Sequence, residues 1–217
     1  FDTRALWAAA TARNGPRVHH GLDAGTALDI SGSNLASVFQ RLRNEPRKYD
    51  WAAVMLDLRA GLGADVRDVL VETLMPGASV LKLHFASLGP VPVSQLSEGQ
   101  LSYLLLVALA HLDQSSSALV FDEPELHLHP GLLVRATWLF ERIAEKRPVI
   151  LATHADALLD SLDSAERSVR VLELNEQRAT VMRRLSHERL KVWREHFDSV
   201  GELRREGLLG DVVERPQ

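Results

Sequence analysis

The stretch that decides the fold of this chain is ALVFDEPELHLHP, at residues 118–130. A short apolar run over residues 118–121 leads into Asp122 and Glu123, and a bounded apolar run of this length is typical of a buried strand. Beyond the proline and histidine residues, helical spacing of apolar side chains begins at about Leu132 and continues to Glu145. We therefore predict a strand that ends in two carboxylates and is followed by a loop and a helix.

Similar patterns flank this stretch on both sides. Downstream, a second apolar strand over residues 149–152 ends in Thr153 and His154, and a short helix is predicted over residues 155–162. Upstream, the polar turn LSEGQ at residues 96–100 precedes an almost wholly apolar helix that reaches Leu112. Strands that alternate with helices predict an α/β fold with a mostly parallel sheet flanked by helices.

The rest of the chain carries weaker patterns. Apolar spacing predicts two helices on either side of Pro46, between Asn34 and Leu62, and a hairpin that turns at Asn175. Further predictions are a helix over residues 1–14, loops over 15–25 and 114–117, a strand over 80–85, an edge segment over 88–93, hairpin strands over 169–174 and 179–182, and a helix over 186–197.

These elements predict three regions along the chain. Residues 1–95 form a lid region with a small helical part near the N-terminus, residues 96–185 form the core of the domain, and residues 186–217 form a C-terminal helix and tail. A length of 217 residues with 46% hydrophobic composition is ordinary for one α/β domain.

Two adjacent strands of the predicted sheet end in residues suited to a metal–phosphate site. Ligands of open α/β sheets bind at the carboxyl ends of strands. Asp122 can hold Mg²⁺ through its water shell, Glu123 can orient and deprotonate an attacking water, and His154 can hydrogen-bond a terminal phosphate. The alternatives are that the two carboxylates only cap the strand and that His154 is structural.

A third candidate element is the turn before the apolar helix. Ser97, Gly99 and Gln100 place a hydroxyl group and backbone amides at a helix N-terminus, where an anion is favoured. The alternative is an ordinary helix-capping sequence.

The order and spacing of these elements resemble the C-terminal half of an ABC-type ATPase head. Residues 96–100 resemble the ABC signature, residues 118–123 the Walker B strand, residues 124–130 the D-loop, and His154 the switch histidine. The DEPELHLHP run is similar to the RecF-like and SMC-like branch of AAA family ATPases (an AAA_21-like group), as are residues 32–36 and the GEL sequence that begins at Gly201. The resemblance spans nearly the whole chain.

This resemblance implies an ATPase that uses ATP and Mg²⁺ and dimerises head to head. Asp122 is then the Mg²⁺ carboxylate, Glu123 the general base and His154 the γ-phosphate sensor. Ser97 and Gly99, with Gln100 beside them, serve the nucleotide bound by the other head. The implied partner is a second copy or another ATPase head, the implied role lies in a DNA-related or anti-phage defence assembly, and nucleic acid stays open as a partner.

Two departures from the family pattern bear on function. Glu98 replaces the usual first glycine of the signature, and no G-x-x-x-x-G-K-[ST] phosphate-binding loop occurs in the sequence. Because the sequence begins with Phe1 rather than Met, we expect this loop to lie upstream in the same polypeptide or on a partner, and we do not expect this chain alone to hydrolyse ATP. Two alternatives follow: a non-catalytic interaction module that completes an ATP site on another chain, and the ATP-binding subunit of a transporter.

Composition excludes several other classes. A net charge of -4 and a pI of about 6.1 give no overall attraction to nucleic acid, so such binding would need the local basic stretch at residues 178–205, which a solvated helix face explains equally well. The absence of cysteine excludes disulfides and thiolate chemistry, and the absence of a long apolar segment or signal peptide favours a cytoplasmic protein. His127 and His129 could form a two-histidine metal clip, but the D-loop resemblance explains both residues.

Overall fold

The computed structural model describes residues 27–29, 31–75, 78–112, 118–162, 164–193 and 196–214. The helix predicted over residues 1–14 and the loops predicted over 15–25 and 114–117 lie outside these residues. The chain divides into two compact units, Phe1–Thr153 and His154–Gln217, and each is described by itself.

Two helices open the described part of the first unit, as predicted. Helix α1 is Leu35–Asn44 and helix α2 is Trp51–Leu62, and the chain breaks between them around Pro46. Asp50 starts α2 because its carboxylate accepts the amides of Ala52 and Ala53 at 3.0 and 3.1 Å. Each helix turns one apolar face inward, so both contribute to the core of the unit.

A three-stranded antiparallel sheet follows the two helices. Its strands are β1 (Val66–Met75), β2 (Ala78–Phe85) and β3 (Gly89–Pro92), in the order β1-β2-β3. The predicted strand over residues 80–85 is confirmed as part of β2, and the edge segment is confirmed as β3. Strand β1 was not predicted.

The buried helix α3, Glu98–His111, is the centre of the first unit. It packs against α1, α2 and helix α4, Pro130–Ala144. Between α3 and α4 lies strand β4, Leu119–Asp122, whose Phe121 ring contacts that of Phe140 with 4.8 Å between centroids. The predicted elements α3, β4 and α4 therefore pack together in one core.

The prediction of a mostly parallel sheet is not confirmed. Strand β4 pairs in parallel with β5, Val149–Ala152. Helix α4 connects the two strands along the chain. Among the described residues the other paired strands are antiparallel, because tight turns rather than crossover helices join them. The described part of the chain is therefore α/β, with one parallel pair and two small antiparallel sheets.

The second unit is built from short elements around its own core. These are α5 (Asp156–Asp160), α6 (Ala165–Ser168), β6 (Arg170–Leu174), β7 (Thr180–Arg184), α7 (His187–Trp193) and α8 (Val200–Arg205). The predicted hairpin is confirmed as the antiparallel pair β6–β7, with Arg178 in its turn at φ +59°. Across the described parts of both units, no helix has the length and apolar character that crossing a bilayer requires.

Helix α8 meets α5 at a glycine. A Cβ atom at Gly201 would overlap the carboxylate of Asp160 and lie 2.5 Å from the carbonyl oxygen of Asp156. Only a residue without a side chain allows the two helices to approach this closely.

Candidate nucleotide site

Asp122 and Glu123 stand together where β4 ends beside β5. The parallel register pairs Asp122 with Ala152, and the Glu123 amide continues the ladder by donating to the Ala152 carbonyl at 2.7 Å. The Asp122 side chain is exposed and that of Glu123 is half-buried. Two carboxylates thus follow one another at the carboxyl end of a parallel strand, as the sequence predicted.

Glu123 holds an unusual backbone conformation. Its φ of 46° and ψ of 56° lie in the left-handed region, which side-chain-bearing residues rarely adopt. Because Pro124 follows, the right-handed helical conformation is also disfavoured for Glu123. Such strain persists only where the surroundings enforce it, and it concentrates at functional sites.

The segment 124–130 leads from Glu123 into helix α4. It begins with a 3-10 turn, Pro124–His127, and the Thr153 hydroxyl donates to Glu125 Oε1 at 2.7 Å. Glu125 therefore links this segment to the residue that follows β5. Glu125 was not predicted to have a role, although the third acidic residue of the DEPE run was a signal for one.

A capping box starts helix α3. The Ser97 hydroxyl accepts the Gln100 amide at 3.3 Å, and Gln100 Oε1 accepts the Ser97 amide at 2.9 Å. The Ser97 O–H remains able to donate, and the next amides, those of Glu98 and Gly99, point out of the helix N-terminus. The capping alternative for this turn thus holds for Gln100, whose side-chain oxygen faces its own helix.

Gly99 packs against the segment 124–130. A Cβ atom placed on Gly99 would lie 3.1 Å from the His127 carbonyl oxygen and 3.5 Å from Leu132 Cδ1. The glycine therefore brings the predicted signature turn close to the predicted D-loop of the same chain.

Glu98 and His127 interact across this contact. Burial lowers the pKa of His127, and the negative charge of Glu98 opposes that shift. Glu98 thus lies within electrostatic reach of a histidine of its own chain.

His129 serves as a helix cap. Its Nδ1 atom accepts the Gly131 amide at 3.2 Å at the start of α4, and Pro130 occupies the first helical turn. Within the ranges that the structure describes, no three histidine or acidic side chains are grouped so that they could hold a metal ion.

His154 is the first residue of the second unit. It is exposed and precedes α5. The structure therefore brings the signature-like turn against the segment 124–130 and sets Asp122 beside Glu123, while the relation of His154 to them stays a prediction.

A charged cluster joins helices α2, α3 and α4. Asp57 of α2 lies 2.6 Å from His111 Nε2 of α3 and accepts from the Arg142 guanidinium of α4. Burial alone would raise the pKa of Asp57, but its hydrogen bonds to His111 and Arg142 lower it overall. The Tyr103 hydroxyl donates to the Asp57 backbone carbonyl. Burial and the negative charge of Asp57 raise the pKa of Tyr103 to about 12.

Three arginines of the basic stretch at residues 178–205 form ion pairs within the second unit. Arg183 bonds Glu173, Arg204 bonds Asp156 at 2.7 Å, and Arg205 bonds Asp160 at 3.2 Å. These ion pairs neutralise part of the positive charge that was a candidate for binding nucleic acid.

Comparison with solved structures places the fold among SMC heads. An SMC head bound to the C-winged helix domain of ScpA matches with a TM-score of 0.50 and 14% identity, over 77% of this chain and 49% of that chain. A structure described by ATP-driven dimerization and DNA stimulated activation of SMC ATPases gives a TM-score of 0.48 and 16% identity, over 66% and 91%. The Smc head domain of Pyrococcus yayanosii, with its coiled coil and joint, gives 0.48 and 14%, over 76% and 30%.

Two of these three structures are thus more than twice as long as the matched region. No curated protein sequence matches this chain. A family model does match residues 7–160, well over half of the chain, and that match includes the signature-like turn, Asp122 and Glu123. The chain belongs to the AAA_21 family, described as "AAA domain, putative AbiEii toxin, Type IV TA system", and its fold is similar to that of an SMC head.

Proposed function

We propose that this chain forms part of an ATP-hydrolysing head that dimerises when ATP binds. The observation that carries the proposal is the pair Asp122 and Glu123 at the end of a parallel strand, with Glu123 in a strained left-handed conformation. Strain of about 1–3 kcal/mol is retained where a side chain must point in one required direction. Membership of an ATPase family agrees with this use of the carboxylates.

The donor set suits a magnesium nucleotide. Mg²⁺ prefers carboxylate and water oxygens, and the exposed Asp122 carboxylate offers such a ligand without requiring the ion to lose its water shell. When bound, ATP with Mg²⁺ would supply the phosphoryl group and a cation that neutralises its charge. Asp122 would hold the cation, and Ser97 with the amides of Glu98 and Gly99 would hold phosphate oxygens.

Glu123 is the proposed general base. Its half-buried carboxylate follows Asp122 directly, so it can accept a proton from a water molecule beside the phosphate. The continued ladder bond from the Glu123 amide to Ala152 holds the backbone of this residue in place. His154 is proposed to donate a hydrogen bond to the terminal phosphate and so to respond to its loss.

Ser97 and Gly99 are proposed to serve the nucleotide held by a second head. The capping box supports this role because Gln100 fixes the Ser97 backbone and leaves the Ser97 O–H able to donate. We therefore assign Gln100 the positioning of Ser97. The assembly proposed for this head is a defence system, supported by the toxin–antitoxin description of the family, or a DNA-related complex, which rests on SMC analogy.

The test is a Glu123→Gln variant in the protein or complex that also supplies a phosphate-binding loop. We expect ATP turnover to fall by roughly a hundredfold or more, and mass photometry to show a dimer that persists in ATP. Glu145→Gln, an exposed change at the end of α4, is the matched control and should behave as wild type. Unchanged turnover in Glu123→Gln would remove Glu123 from the mechanism.

Mixing two inactive variants tests the second-head role of Ser97. Ser97→Arg and Glu123→Gln should each lack turnover alone, but a mixed dimer contains one site with both intact groups and should regain activity. If Ser97 instead serves its own chain's nucleotide, every site in the mixture stays defective and no activity returns.

A further inference from the structure

The second unit contains a small cleft, lined by seven apolar and three polar residues, that the proposed ATPase activity does not use. Its volume is about 100 Å³ and it opens to solvent. Its apolar walls are formed by Leu159, Leu162, Ala165, Leu190, Phe197, Val200 and Leu203. We propose that the cleft receives a single aliphatic side chain from a partner protein, and that basic residues flank this side chain in the partner.

The size of the cleft selects a side chain rather than a cofactor. Pockets for metabolites and cofactors usually measure roughly 300–1,000 Å³. An engineered apolar cavity of about 150 Å³ holds benzene. A cleft of about 100 Å³ therefore suits an anchor of the size of leucine, isoleucine or methionine.

The walls offer such an anchor an apolar environment. Ala165, Leu190, Val200 and Leu203 are buried members of the core of the second unit, and the other apolar wall residues pack against that core. Trp193 supports one wall by packing on Phe197 with 5.5 Å between ring centroids. An aliphatic side chain that enters the cleft would extend this core and lose its contact with water.

The rim gives the cleft a negative charge. Asp160 and Asp198 line the mouth, and Glu202 accepts the Asp198 amide at 2.9 Å. Asp160 is compensated by Arg205, at 3.2 Å, and by a hydrogen bond from the Ser199 hydroxyl, so the negative charge of the rim comes from Asp198 and Glu202. A partner with lysine or arginine beside its apolar anchor complements this rim, whereas an acidic partner is repelled.

The experiment uses methyl NMR of the full chain with a synthetic peptide, acetyl-GKLRG-amide, as the probe. We expect the peptide to shift methyl signals of the cleft residues Leu159, Leu162 and Leu203, with saturation in the millimolar range. Replacing the peptide leucine by glycine, or its two basic residues by glutamate, should weaken binding by roughly tenfold or more.

Two protein variants test the two halves of the proposal separately. Ala165→Leu fills the cleft and should abolish the peptide shifts, and a thermal unfolding scan checks that the variant folds. Asp198→Asn removes rim charge without touching the walls and should weaken binding about twofold to threefold. Asp211→Asn, an exposed change elsewhere in the unit, should leave binding as in wild type.

Several outcomes would overturn the proposal. Equal binding of the basic and acidic peptides would show that the rim selects nothing, and shifts confined to other methyl groups would show that the cleft is not the site. If the cleft methyl signals move on dilution without any peptide, the occupant is a second copy of this chain and the proposed basic partner is wrong.

Discussion

Glu123 combines an unusual backbone conformation with a proposed chemical role. Glu123 follows Asp122 and has a left-handed φ of 46°. Its amide nevertheless donates a hydrogen bond to the Ala152 carbonyl. Among the described residues, only Arg178 shares a positive φ without being glycine, and Arg178 lies in a hairpin turn where no catalysis is proposed. The two positions therefore separate strain from function.

Replacing Glu123 by glycine should stabilise the chain, and it should abolish turnover in the protein or complex that supplies the phosphate-binding loop. Glycine adopts positive φ without steric cost, so we expect the free energy of unfolding to rise by about 1 kcal/mol after its larger chain entropy is counted. Urea unfolding measures this change. Arg178→Gly should give a similar gain with turnover intact, whereas Glu141→Gly in the interior of α4 should lose about 1 kcal/mol. A loss of stability in Glu123→Gly would show that the conformation is not strained.

Asp57 predicts a pH dependence of stability. Because its folded-state pKa is lowered, the stability that it contributes is present above its unfolded pKa of about 3.9 and is lost as pH falls through the folded value. Asp57→Asn should cost about 1–3 kcal/mol at neutral pH, from hydrogen bonds to charged partners, and should flatten the loss below about pH 4. Urea midpoints across pH measure both effects.

Asp68 provides the control for this prediction. It pairs with Arg43 at 2.9 Å in a more exposed position, so Asp68→Asn should cost less than about 1 kcal/mol. Equal losses in the two variants would contradict a special role for the Asp57 cluster.

At the scale of elements, the contact between α3 and the segment 124–130 depends on Gly99. Alanine normally favours a helix over glycine, but a Cβ atom at Gly99 would press on the His127 carbonyl oxygen at 3.1 Å. Gly131 starts α4 with only the His129 ring nearby, at 3.5 Å, and is exposed. The same substitution thus meets two different surroundings.

We expect the Gly131→Ala variant to have a free energy of unfolding about 1 kcal/mol higher than that of the Gly99→Ala variant. Denaturant melts of the two variants measure the difference. Gly99→Ala should also reduce ATP-dependent dimerisation, since the amide of this residue is proposed to face the second head. Equal free energies of unfolding of the two variants would show that the segment 124–130 moves away from the added methyl group without loss of stability.

The elements that the sequence predicted are those whose pattern is local. The capping residues and apolar run of α3, and the run that ends in Asp122, needed no distant partner to be recognised. Strand β1 was missed because register shifts against β2, between Val66 and Asp68 and between Thr73 and Met75, interrupt its alternation. The Asp57 cluster was also missed, since its partners lie 54 and 85 residues away in the sequence.

At the scale of the whole molecule, one feature stands out on the surface of the first unit. The pair β4–β5 exposes Val120 at 45% and Ile150 at 57% on one face, although parallel strands are usually covered on both faces. We therefore expect these exposed apolar side chains to promote self-association of the isolated chain.

Replacing Val120 and Ile150 by threonine should reduce self-association of the isolated chain. Light scattering at increasing concentration measures the effect, and the unfolding free energy should change by less than about 0.5 kcal/mol per site because both side chains are exposed. Leu56→Thr, which changes a single exposed leucine of α2, should leave scattering as in wild type. Unaltered scattering in the double variant would place the association elsewhere.

The close approach of α8 to α5 at Gly201 also constrains how this protein evolves. The overlap with Asp160 means that an alanine or larger residue at this position is compatible with the fold only if the opposing acid is replaced by a smaller residue and the helices move apart. Relatives should therefore change these two positions together, and a sequence that keeps both residues should also keep the acidic mouth of the cleft. The pair is a marker by which the second unit can be followed through divergent homologues.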